Sequence, residues 1–235
     1  MLVACWSVKG GVGTTVIAAA LALLMAGKSP AGAVIADLAG DVPAVLGKPD
    51  PESPGLAGWL AAGDDVPADA LRRLEVPGVG GLTMLPRGTG ALDPRRAGLL
   101  ASLLDLSPRP AVADCGRLAD VETGPPGAGA GGGGPAAEAD AVARTVIAHA
   151  QRSIMVIRPC YLALRRAARA PVRPTGIVVV REPGRVLSPD DVERVAGAPV
   201  AAVVELDPAV ARAVDAGLLA HRLPRSLTKA LDRAT

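Results

Sequence analysis

A glycine-rich stretch close to the amino terminus holds the residues best suited to binding a phosphate group. Residues 9–15 read Lys-Gly-Gly-Val-Gly-Thr-Thr, between an apolar run at 2–6 and a small-residue apolar run at 16–25. Glycines let a backbone wrap closely around an anion, because they carry no Cβ atom. Backbone N–H groups and the positive end of a helix dipole attract the phosphate charge. The spacing therefore predicts a strand, a phosphate-binding loop and a helix, in that order.

The same stretch is close to the P-loop consensus G-x-x-x-x-G-K-[ST], but it departs from that consensus at two positions. Val8 stands at the position of the first glycine, and Thr14 stands at the position of the phosphate-binding lysine. Thr15 keeps the hydroxyl that holds Mg²⁺ in the consensus. A glycine turn without a ligand is the alternative interpretation. We favour the phosphate loop, because the strand, the glycines, the hydroxyl and the helix all agree with it.

An apolar strand that ends in a carboxylate is the second feature suited to phosphate chemistry. The run at 110–114 reads Pro-Ala-Val-Ala-Asp and predicts a short buried strand that ends at Asp114. A carboxylate in this place can hold the water shell of a Mg²⁺ ion. Strands of many kinds end in aspartate, so the interpretation rests on order along the chain: the glycine loop and an intervening strand both precede Asp114.

The string from Lys9 to Thr15 resembles the deviant Walker A loop of the ParA/MinD superfamily of P-loop ATPases. This resemblance implies a site for ATP or ADP with Mg²⁺, in which Lys9 and Asp37 are catalytic. It also implies a homodimer in which Lys9 reaches the nucleotide of the partner, while the lysine replaced by Thr14 would act within its own subunit. The residues that it places against the nucleotide are Lys9, Gly10, Gly11, Val12, Gly13, Thr14, Thr15 and Val16. The residues that it places at the metal are Thr15, Asp37 and Asp114.

Residues 37–47, which read D-L-A-G-D-V-P-A-V-L-G, are similar to a segment of the CpaE/TadZ branch of that superfamily. The branch pattern is D-x-D…G-D-V-A-x-x-L-G, and its two leading aspartates lie beside Mg²⁺ and the attacking water. Asp37 matches the first aspartate, and Ala39 replaces the second. Asp41 is a possible substitute for the missing carboxylate, but it matches a different position of the pattern. We favour its interpretation as a loop aspartate near the start of a helix.

Two segments in the second half of the chain resemble the nucleotide-base side of the same superfamily. The predicted strand at 176–180 is similar to the family strand G-V-V-L-N, whose terminal Asn reads the adenine, and Arg181 occupies that last position. The segment from Pro199 onward is similar to the pattern G-x-P-V-x-x-x-I-P-x-D-x-x-V-x-x-A. The resemblance places three further residues at the nucleotide: Glu205, Leu206 and Asp207.

Apolar strand patterns alternate with helical patterns along the whole chain. This alternation predicts a single three-layer α/β domain over residues 1–235, of the P-loop NTPase type, with a mostly parallel twisted sheet and helices on both faces. The predicted strands are 2–6, 32–37, 81–86, 110–114, 153–158, 176–180 and 199–204. The predicted helices are 16–25, 56–62, 68–74, 93–104, 136–151, 159–170, 188–195, 209–219 and a last one that carries Leu223, Leu227 and Leu231. We expect a flexible loop over 121–136, because this glycine-rich stretch has little apolar surface to bury.

Composition limits the class of protein. The chain has 235 residues, of which 50% are hydrophobic, so it can bury the core of one domain. A net charge of +2 is too small to indicate nucleic-acid binding. The three cysteines show no C-x-x-C spacing, which favours buried thiols in a reducing cytosol over a metal or redox site. The amino terminus does not have the pattern of a signal peptide, and no uninterrupted apolar run reaches membrane-spanning length. We therefore expect a cytoplasmic protein.

Three functions stay open at this point. The favoured one is a nucleotide-gated dimeric regulator that positions a cellular assembly, such as pilus or secretion machinery, at a cell pole or division site. The others are a competent slow ATPase, in which Thr14 and Asp41 are tolerated, and a scaffold that has lost nucleotide. The chain has only four lysines, and a scaffold without nucleotide would have little reason to keep Lys9. We expect a second copy of the chain and a protein of the assembly as partners.

Two further binding surfaces are suggested by the sequence but are not favoured. Arg165, Arg166 and Arg169, at helical spacing, together with Arg173, suggest non-specific DNA binding of the ParA kind. The stripe of Leu223, Leu227 and Leu231 invites comparison with the membrane-binding terminal helix of MinD proteins. That stripe is narrow and lacks Phe or Trp, so we favour a helix that packs on the domain.

Overall fold

The computed structural model describes residues 1–50, 52–63, 66–67, 69–119 and 134–232. Eight strands within these ranges form one sheet, in the order β3-β4-β2-β5-β1-β6-β7-β8. The strands are β1 (Leu2–Ser7), β2 (Ala33–Asp37), β3 (Val76–Pro77), β4 (Leu82–Leu85), β5 (Ala111–Arg117), β6 (Arg152–Ile157), β7 (Gly176–Arg181) and β8 (Val200–Glu205). The pair β3–β4 is antiparallel, and the other neighbours pair in parallel. The carboxyl ends of the parallel strands therefore lie at one edge, where α/β proteins place their ligand sites.

Helices connect the parallel strands, because a parallel pair needs a crossover between its two strands. They are α1 (Thr14–Lys28), α2 (Val42–Val45), α3 (Gly55–Ala61), α4 (Ala97–Asp105), α5 (Pro135–His149), α6 (Tyr161–Ala167), α7 (Pro189–Ala196), α8 (Pro208–Asp215) and α9 (Arg225–Leu231). Residues Arg72–Leu74 and Pro94–Arg96 form short 3₁₀ helices.

Side chains of β1 alternate between two apolar cores, one on each face of the sheet. Leu2, Ala4 and Trp6 pack into the core that contains α4 and α5, whereas Val3 and Cys5 pack into the core that contains α1 and α9. This alternation follows from the two-residue period of a strand. Trp6 is completely buried, and its Nε1 donates a hydrogen bond to Ser153 Oγ on β6 at 2.9 Å. The predicted three-layer α/β domain with a mostly parallel sheet is confirmed.

The predicted strands are all present, and most end within one residue of their predicted limits. The exception is β5, which continues past Asp114 to Arg117 because it goes on pairing with β1. No sequence pattern predicts β3, which has two residues, ends in proline and lies at the sheet edge. Nor does any pattern predict α2, which has four residues.

Several predicted helices differ in extent from the observed ones. Residues 72–74 form a 3₁₀ turn where a helix over 68–74 was predicted, and the predicted helix over 93–104 opens with a 3₁₀ turn before α4. Asp93 caps that turn by accepting a hydrogen bond from Arg95 N at 2.9 Å. Helix α6 ends at Ala167, so the predicted common helical face for the arginines does not extend to Arg169.

The final helix packs on the domain, as predicted. Leu227 and Leu231 are buried in the core beside α1, and Leu223 packs partly buried against the same core. In the described ranges, no helix is both long enough and apolar enough to cross a bilayer. The glycine-rich stretch predicted as a flexible loop lies outside the described residues, except for its last residues, where Gly134 precedes α5.

Candidate functional site

The loop between β1 and α1 has the backbone geometry that its glycines predict. Gly11 and Gly13 have φ angles of 72° and 90°, a region that other residues rarely adopt. Helix α1 begins directly after Gly13, and Ile17 N donates to Gly13 O at 2.9 Å as its first helical hydrogen bond. The N–H groups of the first turn therefore have no partner inside the helix and are free to bind an anion.

Ser7 ties the base of this loop to the end of β5. Its hydroxyl donates to Lys9 O at 3.1 Å and also lies 3.4 Å from Gly116 O. Leu118 N donates to Ser7 O at 2.9 Å, so the backbones on both sides of the loop base are joined. These bonds hold the glycine loop in a fixed position relative to β5.

A cleft of about 470 Å³ opens beside the loop. One wall is the loop with the start of α1, and the facing wall is the chain that follows β2 and β5. The residues that line the cleft and bear on its chemistry are Gly10, Gly11, Gly13, Thr14, Thr15, Val16, Ala39, Asp41, Arg87, Gly116, Arg117 and Asp140. Asp37 and Asp114 are buried and are not among the lining residues. The predicted phosphate loop and the loop that carries Ala39 and Asp41 thus face each other across one cavity.

Two buried carboxylates lie at the adjacent ends of β2 and β5. Asp37 and Asp114 are register partners and are fully buried. Asp37 accepts hydrogen bonds from Gly40 N at 2.6 Å and from Val42 N at 3.2 Å, which fixes the loop after β2. Asp114 Oδ1 accepts from Gly116 N at 3.1 Å, whereas its buried Oδ2 has no hydrogen bond of normal length and angle with the described residues, and the Thr15 hydroxyl is the polar group beside the carboxylate. A buried oxygen without a partner is rare and calls for an explanation.

The electrostatics of the two carboxylates follow from their burial. Burial raises the pKa of Asp37 to about 6, against the lowering effect of the N–H groups of Gly40 and Val42. Burial likewise raises the pKa of Asp114 to about 6, although the adjacent Thr15 hydroxyl lowers it. The charge of Asp41 contributes to the raised pKa of both groups. Each carboxylate would therefore be stabilised by a cation placed in the cleft.

The donor set fits a Mg²⁺ ion that is held mainly through water and phosphate oxygens. Thr15, Asp37 and Asp114 offer only oxygen atoms, which Mg²⁺ prefers, and Asp114 Oδ2 has a free acceptor position. The described part of the chain contains no cluster of three or more His, Cys, Asp or Glu side chains able to hold a metal ion by themselves. Mg²⁺ does not require such a cluster, because it usually keeps several waters and substrate oxygens as ligands.

Ala39 and Asp41 both line the cleft, but they differ in what they offer. Ala39 packs against Gly116, where a Cβ added to the glycine would lie 3.1 Å from the Ala39 Cβ. Asp41 precedes α2 at its N-cap position, as the sequence predicts, although its side chain makes no capping hydrogen bond. Asp41 is thus an exposed carboxylate near the two buried ones, while position 39 offers no polar group.

Lys9 lies outside the set of residues that line this cleft. Its side chain is half-buried, and its ammonium makes no hydrogen bond or ion pair with the described residues. The pKa of Glu182, which follows β7, is lowered mainly by its hydrogen bond with Arg185, and the charges of Arg158 and Lys9 add to this lowering. Lys9 is therefore near enough to the end of β7 for its charge to act on Glu182, and it is not among the residues that line the phosphate cleft.

A second cleft, of about 310 Å³, lies on the other side of the loop. Gly11, Gly13 and Val16 contribute to both clefts, and the second is lined mainly by apolar side chains. The predicted base-side residues that line it are Glu205, Leu206 and Asp207, together with Val12 from the loop. Asp207 also caps α8, because its carboxylate accepts from Ala209 N at 2.8 Å and from Ser226 Oγ at 2.8 Å.

Arg181, the residue at the predicted adenine-reading position, is exposed at the end of β7. Its Nε donates to Glu205 Oε2 at 3.1 Å, and its guanidinium forms an ion pair with the same carboxylate. The set of described residues that line the second cleft does not include Arg181. The guanidinium is therefore held at the rim by Glu205 rather than inside the cleft.

Arg87 and Arg117 both line the phosphate cleft, although neither is predicted as a site residue from the sequence. Arg87 follows β4, and its guanidinium donates a hydrogen bond to Leu38 O. Arg117 is the last residue of β5. Neither residue belongs to a recognisable spacing pattern. Their location depends on the order of strands in the sheet, which the sequence pattern does not specify.

Comparisons with known proteins identify solved structures that share the fold of this chain. No protein-family model matches the chain, and no curated protein matches it. The ParA family ATPase from Chlorobium tepidum TLS superposes with a TM-score of 0.72 at 21% identity, over 98% of this chain and 95% of that chain. The septum site-determining protein MinD from Pyrococcus horikoshii OT3, complexed with Mg-ADP, superposes with a TM-score of 0.71 at 19% identity, over 99% of this chain and 94% of that chain. A chain of the MinC:MinD cell division protein complex from Aquifex aeolicus superposes with a TM-score of 0.67 at 18% identity, over 92% of this chain and 86% of that chain. The chain therefore has the fold of the ParA and MinD ATPases.

Proposed function

We propose that this chain is a ParA/MinD-like protein of the CpaE/TadZ type that binds ATP with Mg²⁺ and dimerises across the nucleotide. Binding would gate its action as a positional regulator of a cellular assembly, such as pilus or secretion machinery at a cell pole or division site. The observation that carries the proposal is the buried, unpartnered Asp114 Oδ2 next to Thr15, at the base of a glycine loop. The fold shared with ParA and MinD ATPases supports it.

Different groups of the chain would contact the phosphates, the metal ion and the nucleotide base. The amides of Gly10, Gly11 and Gly13, with the first turn of α1, would bind the phosphates. Thr15, Asp37 and Asp114 would hold the metal and its water shell. A bound Mg²⁺ would supply charge neutralisation at the phosphate oxygens. The remaining residues proposed to contact the nucleotide are Lys9, Val12, Thr14, Val16, Arg181, Glu205, Leu206 and Asp207.

Hydrolysis is expected to be slow. Asp37 is the proposed group beside the attacking water, and its carboxylate is oriented by the amides of Gly40 and Val42. Position 39 offers a methyl group where the resemblance expects a second carboxylate, and Thr14 offers no charge to the phosphates. The chain is therefore better equipped to bind a nucleotide than to turn it over.

The position of Lys9 supports a role in a dimer. Its ammonium makes no hydrogen bond or ion pair with the described residues, and Lys9 is not among the residues that line the phosphate cleft of its own chain. Ser7 holds the Lys9 carbonyl at 3.1 Å, so the backbone from which the side chain extends is fixed. A lysine in this arrangement suits contact with the nucleotide of a second copy across a two-fold axis. The MinD of Aquifex aeolicus forms a complex with MinC, and we expect this chain also to bind a protein of its assembly.

A competent slow ATPase is a second candidate function, and the position of Asp41 favours it. Asp41 lines the cleft, and its charge contributes to the raised pKa of both buried carboxylates. A third carboxylate is therefore close to the metal site even though position 39 has none. Under this candidate, Asp41→Asn would abolish turnover, whereas under the favoured proposal wild-type turnover is already negligible.

Titration calorimetry with ATP, in Mg²⁺ and in EDTA, tests the proposal directly. We expect ATP binding that depends on Mg²⁺, and we expect Asp114→Asn to remove that dependence. Light scattering with and without ATP then reports whether the bound nucleotide promotes a dimer. A wild-type chain that gives no binding heat with ATP and Mg²⁺ contradicts the proposal and leaves the scaffold without nucleotide.

A further inference from the structure

The phosphate loop has lost the cation that its consensus provides, and the cleft beside it contains other cations. Thr14 stands where the consensus has lysine, and it is a nearly buried residue at the start of α1. Arg87 and Arg117 are the cationic side chains among the described residues that line the cleft. A triphosphate entering the cleft would also meet the carboxylates of Asp41 and Asp140, with Asp37 and Asp114 buried at the strand ends nearby, so it needs positive charge from the protein as well as from a metal.

A bulge fixes the backbone of Arg117 at the base of the loop. Cys5 pairs with Asp114, but Ser7 pairs with Arg117, so β5 has one more residue than β1 between these two positions. Gly116 adopts a φ of 61° within this irregularity, and Leu118 N donates to Ser7 O at 2.9 Å directly after it. Bulges of this kind redirect a side chain near a functional site.

The Arg117 side chain runs beside the glycine loop. Its Cδ lies 3.9 Å from the point that a Cβ on Gly10 would occupy. The side chain is exposed, and its guanidinium makes no hydrogen bond or ion pair within the described ranges. It therefore combines a fixed backbone with a free charged group at the mouth of an anion-binding loop.

Arg87 is in a different situation, because it is already bound. Its guanidinium donates to Leu38 O, and its charge lowers the pKa of the adjacent Asp37. A Cβ added to Gly40 would lie 3.2 Å from the Arg87 Cδ, so the side chain is also packed against the loop after β2. Arg87 is thus a support for the carboxylate side of the cleft, and Arg117 is the cation that is available to a ligand.

We propose that Arg117 binds the phosphates of a nucleoside triphosphate within its own subunit, in place of the lysine that Thr14 replaces. This inference rests on the proposed nucleotide-binding function. Arginine suits the task, because its planar guanidinium can donate two parallel hydrogen bonds to phosphate oxygens. The phosphate-binding cation then comes from the strand that carries Asp114 instead of from the loop.

The test is the affinity of Arg117→Gln for ATP with Mg²⁺, measured by titration calorimetry. Removing a charge-assisted hydrogen bond to phosphate should lower the affinity for ATP roughly tenfold or more. Arg165→Gln is the matched control, because Arg165 is another exposed arginine and lines neither cleft. We expect Arg165→Gln to bind ATP like the wild type, and we expect both variants to bind adenosine equally, since adenosine has no phosphate. Thermal unfolding of both variants reports whether the fold is kept.

A second substitution separates charge compensation from a general disturbance of the cleft. We expect Thr14→Lys to restore ATP affinity in the Arg117→Gln background and to give a smaller gain in the wild type, because the two cations serve the same phosphates. A wild type that binds ATP, together with an Arg117→Gln variant of equal affinity, would overturn this inference and leave the proposed function intact. A wild type that binds no ATP would overturn both.

Discussion

Asp37 and Asp114 are register partners at the ends of two adjacent parallel strands, and both are fully buried. Burial raises the pKa of each carboxyl to about 6, and the charge of Asp37 also raises the pKa of Asp114. The charge of Arg87 lowers the pKa of Asp37 but does not offset its burial, so the two neighbouring buried carboxylates still reduce the stability of the fold. Their arrangement is therefore better explained by a ligand than by the needs of the core.

The first prediction concerns pH. A carboxyl whose folded pKa is raised binds its proton more tightly in the folded state, so it stabilises the fold at low pH. That stabilisation is complete at pH values below about 4, the pKa of aspartate in the unfolded chain, and it is lost as the pH rises through about 6, the pKa of Asp114 in the folded chain. We expect Asp114→Asn, in EDTA, to be more stable than the wild type at pH 8 by roughly 1–3 kcal/mol.

Urea unfolding at several pH values provides the measurement. The stability difference between Asp114→Asn and the wild type should grow between about pH 4 and pH 6 and then remain constant. Comparing the two proteins at each pH removes the contribution of the other titrating groups. A difference that stays flat across this window would show that Asp114 has an ordinary pKa.

The second prediction concerns Lys9. Lys9→Ala should leave the free energy of unfolding nearly unchanged, because the side chain is only half-buried and its ammonium makes no hydrogen bond or ion pair with the described residues. It should abolish ATP-dependent dimerisation, measured by light scattering with and without ATP and Mg²⁺. Lys48→Ala, another half-buried lysine, is the control and should dimerise normally. A dimer that forms without nucleotide and survives Lys9→Ala would favour the scaffold.

The third prediction compares Gly13, which needs a positive φ in the phosphate loop, with Gly32, which also packs closely against another backbone. Gly13 has a φ of 90° and no atom within 4 Å of an added Cβ, whereas an added Cβ on Gly32 would lie 2.2 Å from Gly81 O. Gly13→Ala should cost about 1–2 kcal/mol of stability through backbone strain and should weaken ATP binding roughly tenfold. Gly32→Ala should cost more stability, but its folded fraction should bind ATP normally.

Urea unfolding and calorimetry on the same two glycine variants separate these effects. Equal losses of ATP affinity in both variants would mean that the loop geometry has no specific role in binding. If the Gly32→Ala variant is too unstable at room temperature, its ATP binding is measured at low temperature, where a larger fraction of the chain is folded.

The fourth prediction concerns DNA. Helix α6 carries Arg165 and Arg166, while Arg169 lies beyond its end, so the arginines do not form one continuous helical face. We expect no electrophoretic shift of a long duplex at low salt, with ATP and Mg²⁺ present. A shift that disappears steeply as the salt concentration rises would instead indicate binding through phosphate contacts.

The parts of the site that are contiguous in sequence could be predicted, and the parts that depend on the sheet order could not. The loop from Lys9 to Thr15 is one segment, and its glycines determine its shape. Asp114 was identified as a strand-end carboxylate, but its register pairing with Asp37 depends on β5 inserting between β2 and β1. Arg117 could not be predicted, because a bulge between Asp114 and Arg117 directs it to the loop, and no spacing rule identifies such a bulge.

The burial of Trp6 gives the chain an optical probe beneath the phosphate loop. Trp6 is fully buried and hydrogen-bonded to Ser153 at 2.9 Å, while the other tryptophan, Trp59, lies under the Arg96 guanidinium at 3.9 Å from the ring centroid. Replacing Trp59 with Phe would leave one indole in the whole chain. Its emission would then come from the strand that leads into the loop, so a rapid-mixing experiment could follow the arrival of a ligand without an attached dye.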